Sequence, residues 1–597
     1  TSKLDWTSPD AAIIVWDAKT LDNQLPYTGA LGGSISVSGA DGTTTFLSSA
    51  AFVAGASSEI SLYGSALNST ARIEAPVVDS HGEVNVTGIG VIDAPLIALR
   101  GQATIDADGM LAMPANAIIF DSFVVTPNGE GGTIQMAKAG STLSVIGGQS
   151  LITLGVGGEF DLDGAGDKTV NIADGSSLIL DVEKLETGNF EFFNGTLNID
   201  GLLHVETYDP GNKWPNAGAI NLEGGEVTGR AVKNNGVITG HGSFGASVSN
   251  NGEIVADGGT LFFANLDLDG DDAPETGVIR AETGDIVITS PPTDTVFPFN
   301  GTMSIGDGVG VREVVEMNFP IRITDNPDGV GVLTMNGGFL RAKRVELDQT
   351  LAFTGDSLIR ASGEGSIDRV VFGSGGTSTI TGTLELEGDV WITPTAAFEG
   401  EGLLKGVSTG KRFFIQEGAN TSDVSVEAAG EVILWGTLYE TGEVHVANLT
   451  LRPTSTLDAD ISGLAADDAH DRYRVADDAS IDGTLVLNWA GQGDAPTGET
   501  YTILTAGSVS GSFDTVDDST LGFNRRAFVT VNPDSIEVFV TCLTDLNGDG
   551  LLDLSDITAF TQAFQNNDPL ADLAQPEGLF DLADINTFVS LFQSGCN

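Results

Sequence analysis

The chain has 597 residues, 41% hydrophobic and only 18% charged, with 78 Gly spread among runs of Val, Ile, Leu, Thr and Phe. That composition excludes wholesale disorder and describes strands punctuated by turns. Its 83 acidic and 26 basic residues give a formal net charge of −57, which repels phosphate backbones and anionic membrane surfaces and argues against nucleic acid as a partner.

The sequence opens at Thr1 without an initiator Met, and we read it as a processed, secreted chain. Its acidity suits a salty or calcium-rich medium, where counterions screen self-repulsion. The first predicted element is the apolar strand Ala11–Trp16, flanked by the polar stretches Thr1–Asp10 and Asp17–Gln24. It is far too short to span a bilayer and no later apolar run is longer, so no membrane insertion is expected. Residues 1–27 are assigned to an N-terminal cap, or to a donor strand that adds to the exposed edge of another copy.

From 28 to 450 one phrase recurs: a Gly or Asn-Gly turn, alternating apolar and polar residues, then another turn. Gly195-Thr-Leu-Asn-Ile-Asp-Gly201, Asn235-Gly-Val-Ile-Thr-Gly240, Asn251-Gly-Glu-Ile-Val-Ala256 and Gly382-Thr-Leu-Glu-Leu-Glu-Gly388 are instances. Each supplies one short strand with one apolar face, which cannot bury itself alone. Dozens in series predict an all-β chain, a right-handed parallel β-helix or similar β-solenoid; a succession of β-sandwiches is the alternative. Gly-Thr-Leu recurs at 195, 259, 382, 436 and 483 without a common period, so coils of unequal length are expected. Coils of about 22 residues rising about 4.8 Å each would make a rod on the order of 90 Å long.

Residues 451–541 have Asp-rich turns and longer strands. Tyr473-Arg-Val-Ala, Gly483-Thr-Leu-Val-Leu, Tyr501-Thr-Ile-Leu-Thr-Ala and Gly511-Ser-Phe-Asp together are similar to the segment that closes passenger-type β-solenoids of secreted bacterial proteins. The resemblance implies a β-rich C-terminal cap, which a solenoid needs to cover its last strand edges.

The strongest local signal lies in 542–597. Asp545-Leu-Asn547-Gly-Asp549-Gly550-Leu551-Leu-Asp553-Leu-Ser-Asp556 puts oxygen side chains at loop positions 1, 3, 5, 9 and 12 with Gly at 6, and runs into the helical pattern Ile557, Phe560, Phe564. That spacing wraps a chain around a calcium ion, with the backbone carbonyl of Leu551 as a further ligand and Asp553 acting directly or through water. The helix is echoed 28 residues on, where Asp584-Ile-Asn-Thr-Phe588 and Phe592 repeat Asp556-Ile-Thr-Ala-Phe560 and Phe564. The Phe residues at helical spacing are expected to form the core of this unit. The second loop, Asp572 to Asp584, is one residue longer and lacks oxygens at positions 3 and 5, leaving Asp572, Asp581 and Asp584 as its best ligands. The only cysteines, Cys542 and Cys596, bracket the segment and read as a clasp worth ~4 kcal/mol in the chain-entropy model, two separate thiols being the alternative.

With Asp closing the loop and no helix before it, the segment resembles a dockerin, and with Gly595-Cys596 it resembles the Gly-Cys-type dockerins that end secreted proteins of planctomycete-like bacteria. The resemblance implies calcium-dependent attachment to a cohesin-like or cell-surface partner. Asp161-Leu-Asp163 and Asp267-Leu-Asp269-Gly-Asp271-Asp272 lack the full loop spacing and read as solvated turns.

Gly406-Val-Ser408-Thr-Gly410 and Gly240-His-Gly242-Ser-Phe-Gly245 spell a nucleophile elbow and a dinucleotide loop, but neither has the strand-to-helix setting those need. His81, His204, His241, His445 and His470 stand singly and read as surface or turn residues, and Lys and Arg show no clustering. The sequence therefore predicts a non-enzymatic extracellular protein: a spacer, stalk, adhesin or filament subunit that self-associates end to end or binds a surface partner or extracellular glycans. The alternative is a dockerin-bearing polysaccharide lyase or glycosidase on a β-helix.

Overall fold

The computed structural model describes residues 12–595 apart from 17–19, 24–32, 65–69, 136–141, 162–168, 185–195, 206–212, 268–276, 290–295, 325–330, 363–368, 436–442 and 466–469, and shorter breaks at turns. The described residues are 62% strand and 7% helix, in long parallel sheets with no closed barrel among them. The period-two pattern explains the sheets. Strands Ser34–Gly39, Glu59–Gly64, Glu83–Thr87, Gln102–Asp106 and Val124–Asn128 pair successively in parallel. Their in-register residues Ile35, Ile60, Val84, Ala103 and Val125 form one column, each at most 1% exposed. Alternate residues face out, because successive side chains of a strand point to opposite faces. Burying each Ile or Val stabilises the stack by about 1.5–3 kcal/mol.

Connectivity is that of a solenoid. After Ile321–Ile323 the chain makes Val332–Asn336 and Phe339–Ala342 in the large 42-stranded sheet, then returns as Val345–Leu347 beside Ile321–Ile323 in a ten-stranded sheet. Coil length varies as the irregular Gly-Thr-Leu spacing predicts, from 16 residues between Asn234 and Asn250 to 31 between Leu485 and Val516. At the N-terminal end Ala12–Trp16 runs parallel to Ser34–Gly39 of the same chain.

The parallel ladders pass through the expected 450/451 boundary without a break. Leu449–Leu451, Asp478–Ile481 and Ser508–Gly511 continue one ladder, and Thr456–Ile461, Thr484–Trp489 and Thr515–Asp517 another. Among the described strands, Arg525–Val531 and Ser535–Cys542 reverse, pairing antiparallel behind Glu499–Thr505. That reversal covers strand edges that would otherwise stay open.

Buried asparagines supply a second cohesive device. Asn216 Nδ2 donates to Asn234 Oδ1 at 2.8 Å, Asn234 Nδ2 to Asn250 Oδ1 at 2.7 Å, and Asn250 Nδ2 to the Val278 carbonyl at 3.3 Å. Outside this ladder, Asn221, Asn198 and Asn171 form a half-buried one of the same kind. Among the histidines, His470 departs from the surface expectation: it is buried, with Nε2 3.2 Å from the Thr502 carbonyl and its ring edge-on to Tyr501.

Two helices follow the cap, α1 (Leu554–Asn566) and α2 (Leu582–Ser594). Phe560 and Phe588 stack at 4.1 Å between ring centroids, and Phe564, Phe580 and Phe592 pack around them with Leu546 and Ala571. No helix among the described residues is long and apolar enough to cross a membrane.

Candidate metal centre

The two loop-helix units are built alike. Asp553 caps α1 and Asp581 caps α2, each in a capping box with the carboxylate three residues on, Asp556 or Asp584. Asp556 is fully buried: its Oδ1 accepts the N–H of Leu546 at 3.0 Å and of Asn547 at 3.4 Å, and its Oδ2 that of Asp553 at 2.9 Å. Asp584, equally buried, accepts Leu573 N–H and Ala574 N–H at 2.8 Å and Asp581 N–H at 2.9 Å. Burial pushes the Asp584 carboxyl up, but these backbone donors outweigh it and hold the group below its ordinary value.

At loop position 1, Asp545 is also fully buried and accepts Gly548 N–H at 2.8 Å, Gly550 N–H at 2.9 Å and the Thr541 hydroxyl at 2.6 Å. Asn547 Nδ2 donates to Asp549 Oδ2 at 2.8 Å, closing positions 3 and 5 on each other, and both residues are exposed. Gly550, at position 6, has φ +79, a conformation that side chains other than Gly rarely adopt. Asp553 and Leu551 are exposed at the rim.

The donors of the first loop are all oxygen, which suits a hard cation such as calcium. In the second loop Asp572 Oδ2 accepts the Gly578 N–H, while its Oδ1 is buried with no hydrogen-bond partner. A buried carboxylate oxygen in that state is costly unless a cation satisfies it. The first loop therefore fits calcium by donor chemistry, and the second offers fewer oxygens, with Asp572 Oδ1 aimed at no protein donor. The structure draws Asp545 and Asp556 into the first loop's interior, but among the described residues it brings no three His, Cys, Asp or Glu together as one metal-holding group.

The unit is seated on the cap sheet. Gly548 lies against the Phe528 ring and Gly550 against Phe539, where a Cβ would come within 3.0 and 3.2 Å. Arg526 Nη2 donates to the Leu570 carbonyl at 3.2 Å, and burial lowers the Arg526 pKa against the pull of Asp518, Asp545 and Asp568. Cys542 ends the last strand, fully buried, and Cys596 lies outside the described residues. Most of the Asp161 and Asp267 turns also lies outside them. Gly406 ends the strand Leu403–Gly406 and the next described element is the strand Arg412–Gln416, while Gly240–Gly245 lies inside the strand Val237–Asn250.

Sequence spacing missed one site. Arg344, Glu346 and Asp348 alternate along one segment, and strand register brings Arg322, a coil earlier, beside them on the ten-stranded sheet. The reading of Lys and Arg as unclustered is thereby corrected. No protein-family model matches the chain, and no curated protein matches it.

Proposed function

We propose that this chain is a secreted extracellular structural or interaction protein: a right-handed β-helical spacer, stalk, adhesin or filament subunit, ending in a dockerin-like module that calcium stabilises for attachment. The observation that carries the reading is the doubled loop-helix unit seated at the end of an unbroken parallel stack. Long rods hold their ends apart, and their ends are natural joints. The partner would be a cohesin-like or cell-surface protein, or the next copy of this chain meeting the edge of Ala12–Trp16.

Calcium would be held by Asp545, Asn547, Asp549, Leu551, Asp553 and Asp556, with Asp572, Asp581 and Asp584 for a second ion. Bound there, it would supply fixed positive charge to an acidic loop, not chemistry. A Cys542–Cys596 disulfide would clasp the module. Asn524 supports that pairing, since its side chain donates to the Gly595 carbonyl at 3.1 Å while its own carbonyl accepts Leu543 N–H at 3.3 Å. The reading favours binding over catalysis, because Glu346 and Asp348, two carboxylates beside the rod's basic cluster, are both engaged by arginine.

Calorimetric titration with calcium, combined with electron microscopy of the intact protein in calcium and in chelator, tests the proposal. Saturable calcium uptake by unbranched rods is expected. No uptake, or compact particles in place of rods, would overturn it.

A further inference from the structure

We propose that the outer face of the ten-stranded sheet carries a binding site for an anionic polysaccharide, in which Arg369, flanked by Arg344, Arg322 and Trp391, receives a carboxylate or sulfate of the glycan. This deepens the extracellular-rod reading by naming a ligand class, and rests on it for the setting, but it uses none of the calcium module.

Five arginines along the stack meet carboxylates of their own chain. Arg72 meets Asp93, Arg280 meets Glu253 at 2.7 Å, Arg341 meets Glu316 at 3.1 Å, Arg360 meets Glu387 and Arg452 meets Glu427. In each pair the carboxylate belongs to a neighbouring strand of the stack. Arg369 breaks this pattern. Val345 pairs with Val370, so Arg344, just before the strand Val345–Leu347, and Arg369, which opens Arg369–Phe372, come near each other at one end of the paired strands. On the opposite side Arg369 pairs with Asp389, but that carboxylate accepts the Arg412 N–H at 2.9 Å and lies 3.9 Å from Arg412 Nη2. Among the described residues Arg369 has no ion-pair partner, and its Nε is buried without an acceptor. The guanidinium instead lies over the Trp391 ring, 5.3 Å from the centroid.

Arg344 shares the deficit. It holds Glu346 together with Arg322, and its own Nε is buried without an acceptor. Burial lowers its pKa, Glu346 opposes this, and Arg369 and Arg322 push it down further. Like charges directly opposite on neighbouring strands destabilise a sheet. In a chain with 83 carboxylates, leaving Arg369 without an ion pair makes sense if the anion arrives from outside. A planar guanidinium takes a carboxylate or sulfate in two parallel hydrogen bonds. The strand spacing along the rod is close to the advance of one sugar in a linear glycan, so a chain lying along the axis would pass from Arg369 to the exposed Arg412 two strands on. The rest of the chain repels polyanions, so affinity must come from this short-range contact.

Calorimetry on the intact protein in chelator, with oligogalacturonate, with chondroitin sulfate oligosaccharides and with neutral cello-oligosaccharides, tests the site. At least one charged ligand should bind and the neutral one should not; the charged arm that binds tells carboxylate from sulfate. Arg369→Gln should weaken that binding tenfold or more, whereas Arg72→Gln, at a remote ion pair, should leave it unchanged. If Arg369→Gln fails to fold, Arg369→Lys keeps the charge without the fork and should bind several-fold more weakly with an unchanged melting temperature. Failure of both charged ligands to bind, equal binding of the neutral ligand, or wild-type affinity in a folded Arg369 variant would overturn the site. Calcium uptake and rod shape are read separately, so such a failure is distinct from failure of the rod reading.

Discussion

Replacing Asp545 by Asn separates a metal loop from an ordinary acidic turn. The wild-type carboxylate is fully buried and satisfies Gly548 N–H, Gly550 N–H and the Thr541 hydroxyl. An Asn side chain offers one acceptor oxygen and turns an NH2 group toward donors, so at least one of these donors loses its partner, at about 1–3 kcal/mol. Loss of the anionic ligand also removes the calcium linkage, which is ~2.7 kcal/mol when calcium stands at a hundred times its Kd. Together these amount to about 4–6 kcal/mol, and each ~1.4 kcal/mol is a factor of ten in the opening equilibrium. Hydrogen exchange followed by mass spectrometry on the intact chain reads this directly in peptides from α1 and α2. Calcium should slow their exchange in the wild type. In Asp545→Asn they should exchange roughly a thousandfold faster than in the calcium-bound wild type, with little response to calcium. Identical wild-type exchange in calcium and chelator, or a full calcium response in the variant, would refute the reasoning.

Asn234→Leu should cost about 2–5 kcal/mol in chemical denaturation, because it strands Asn216 Nδ2 and Asn250 Oδ1 inside the rod; a loss below about 1 kcal/mol would mean the ladder is not cohesive. A non-reduced digest should yield one peptide pair joined through Cys542 and Cys596, and recovery of both as free thiols from native material would remove the clasp. Burial, with Glu499 adding, pushes the Tyr501 hydroxyl from 10.0 up to about 12. The folded state therefore binds this proton more tightly than the unfolded one, and the contribution is fully present below 10.0 and lost as pH rises toward about 12. Across that alkaline window wild type should lose stability more steeply than Tyr501→Phe, and parallel curves for the two would contradict it.

The strands were legible because each carries its own period-two signal, as in Gly382-Thr-Leu-Glu-Leu-Glu-Gly388, which folds as the strand Thr383–Glu387 with Leu384 and Leu386 inward. The loop-helix units were legible for the same reason: Asp553 and Asp556 cap α1 from within twelve residues of sequence. What needed register was not legible. Asn234-Asn-Gly and Asn250-Asn-Gly read as turns, and only stacking shows that the first Asn of each doublet belongs to a buried ladder. The 450/451 boundary followed a change in composition, whereas the ladders continue because Leu457, Leu485 and Val516 keep the same column. Arg344 and Arg369 are separated by a whole coil, and no local pattern marks them as neighbours.

That dependence on register also says what the polar groups are for. A parallel stack of near-identical aliphatic rungs is poorly specified by burial alone, since moving a strand by two residues restores its apolar face to the core. Exposed ion pairs such as Arg341–Glu316 contribute little net stability each, yet they are satisfied at one register only. The asparagine ladder is stricter: a two-residue shift of Val237–Asn250 would carry Asn250 away from Asn234 and leave buried amides without partners. Aliphatic columns thus stabilise the rod while asparagines and cross-strand ion pairs choose among its possible stackings. In such a scheme every cation is expected to face a carboxylate one strand away. Arg369 stands opposite Asp389 yet forms no ion pair with it among the described residues, whereas Arg341, opposite Arg360, still meets Glu316, and that is the physical reason to look for the Arg369 partner outside the chain.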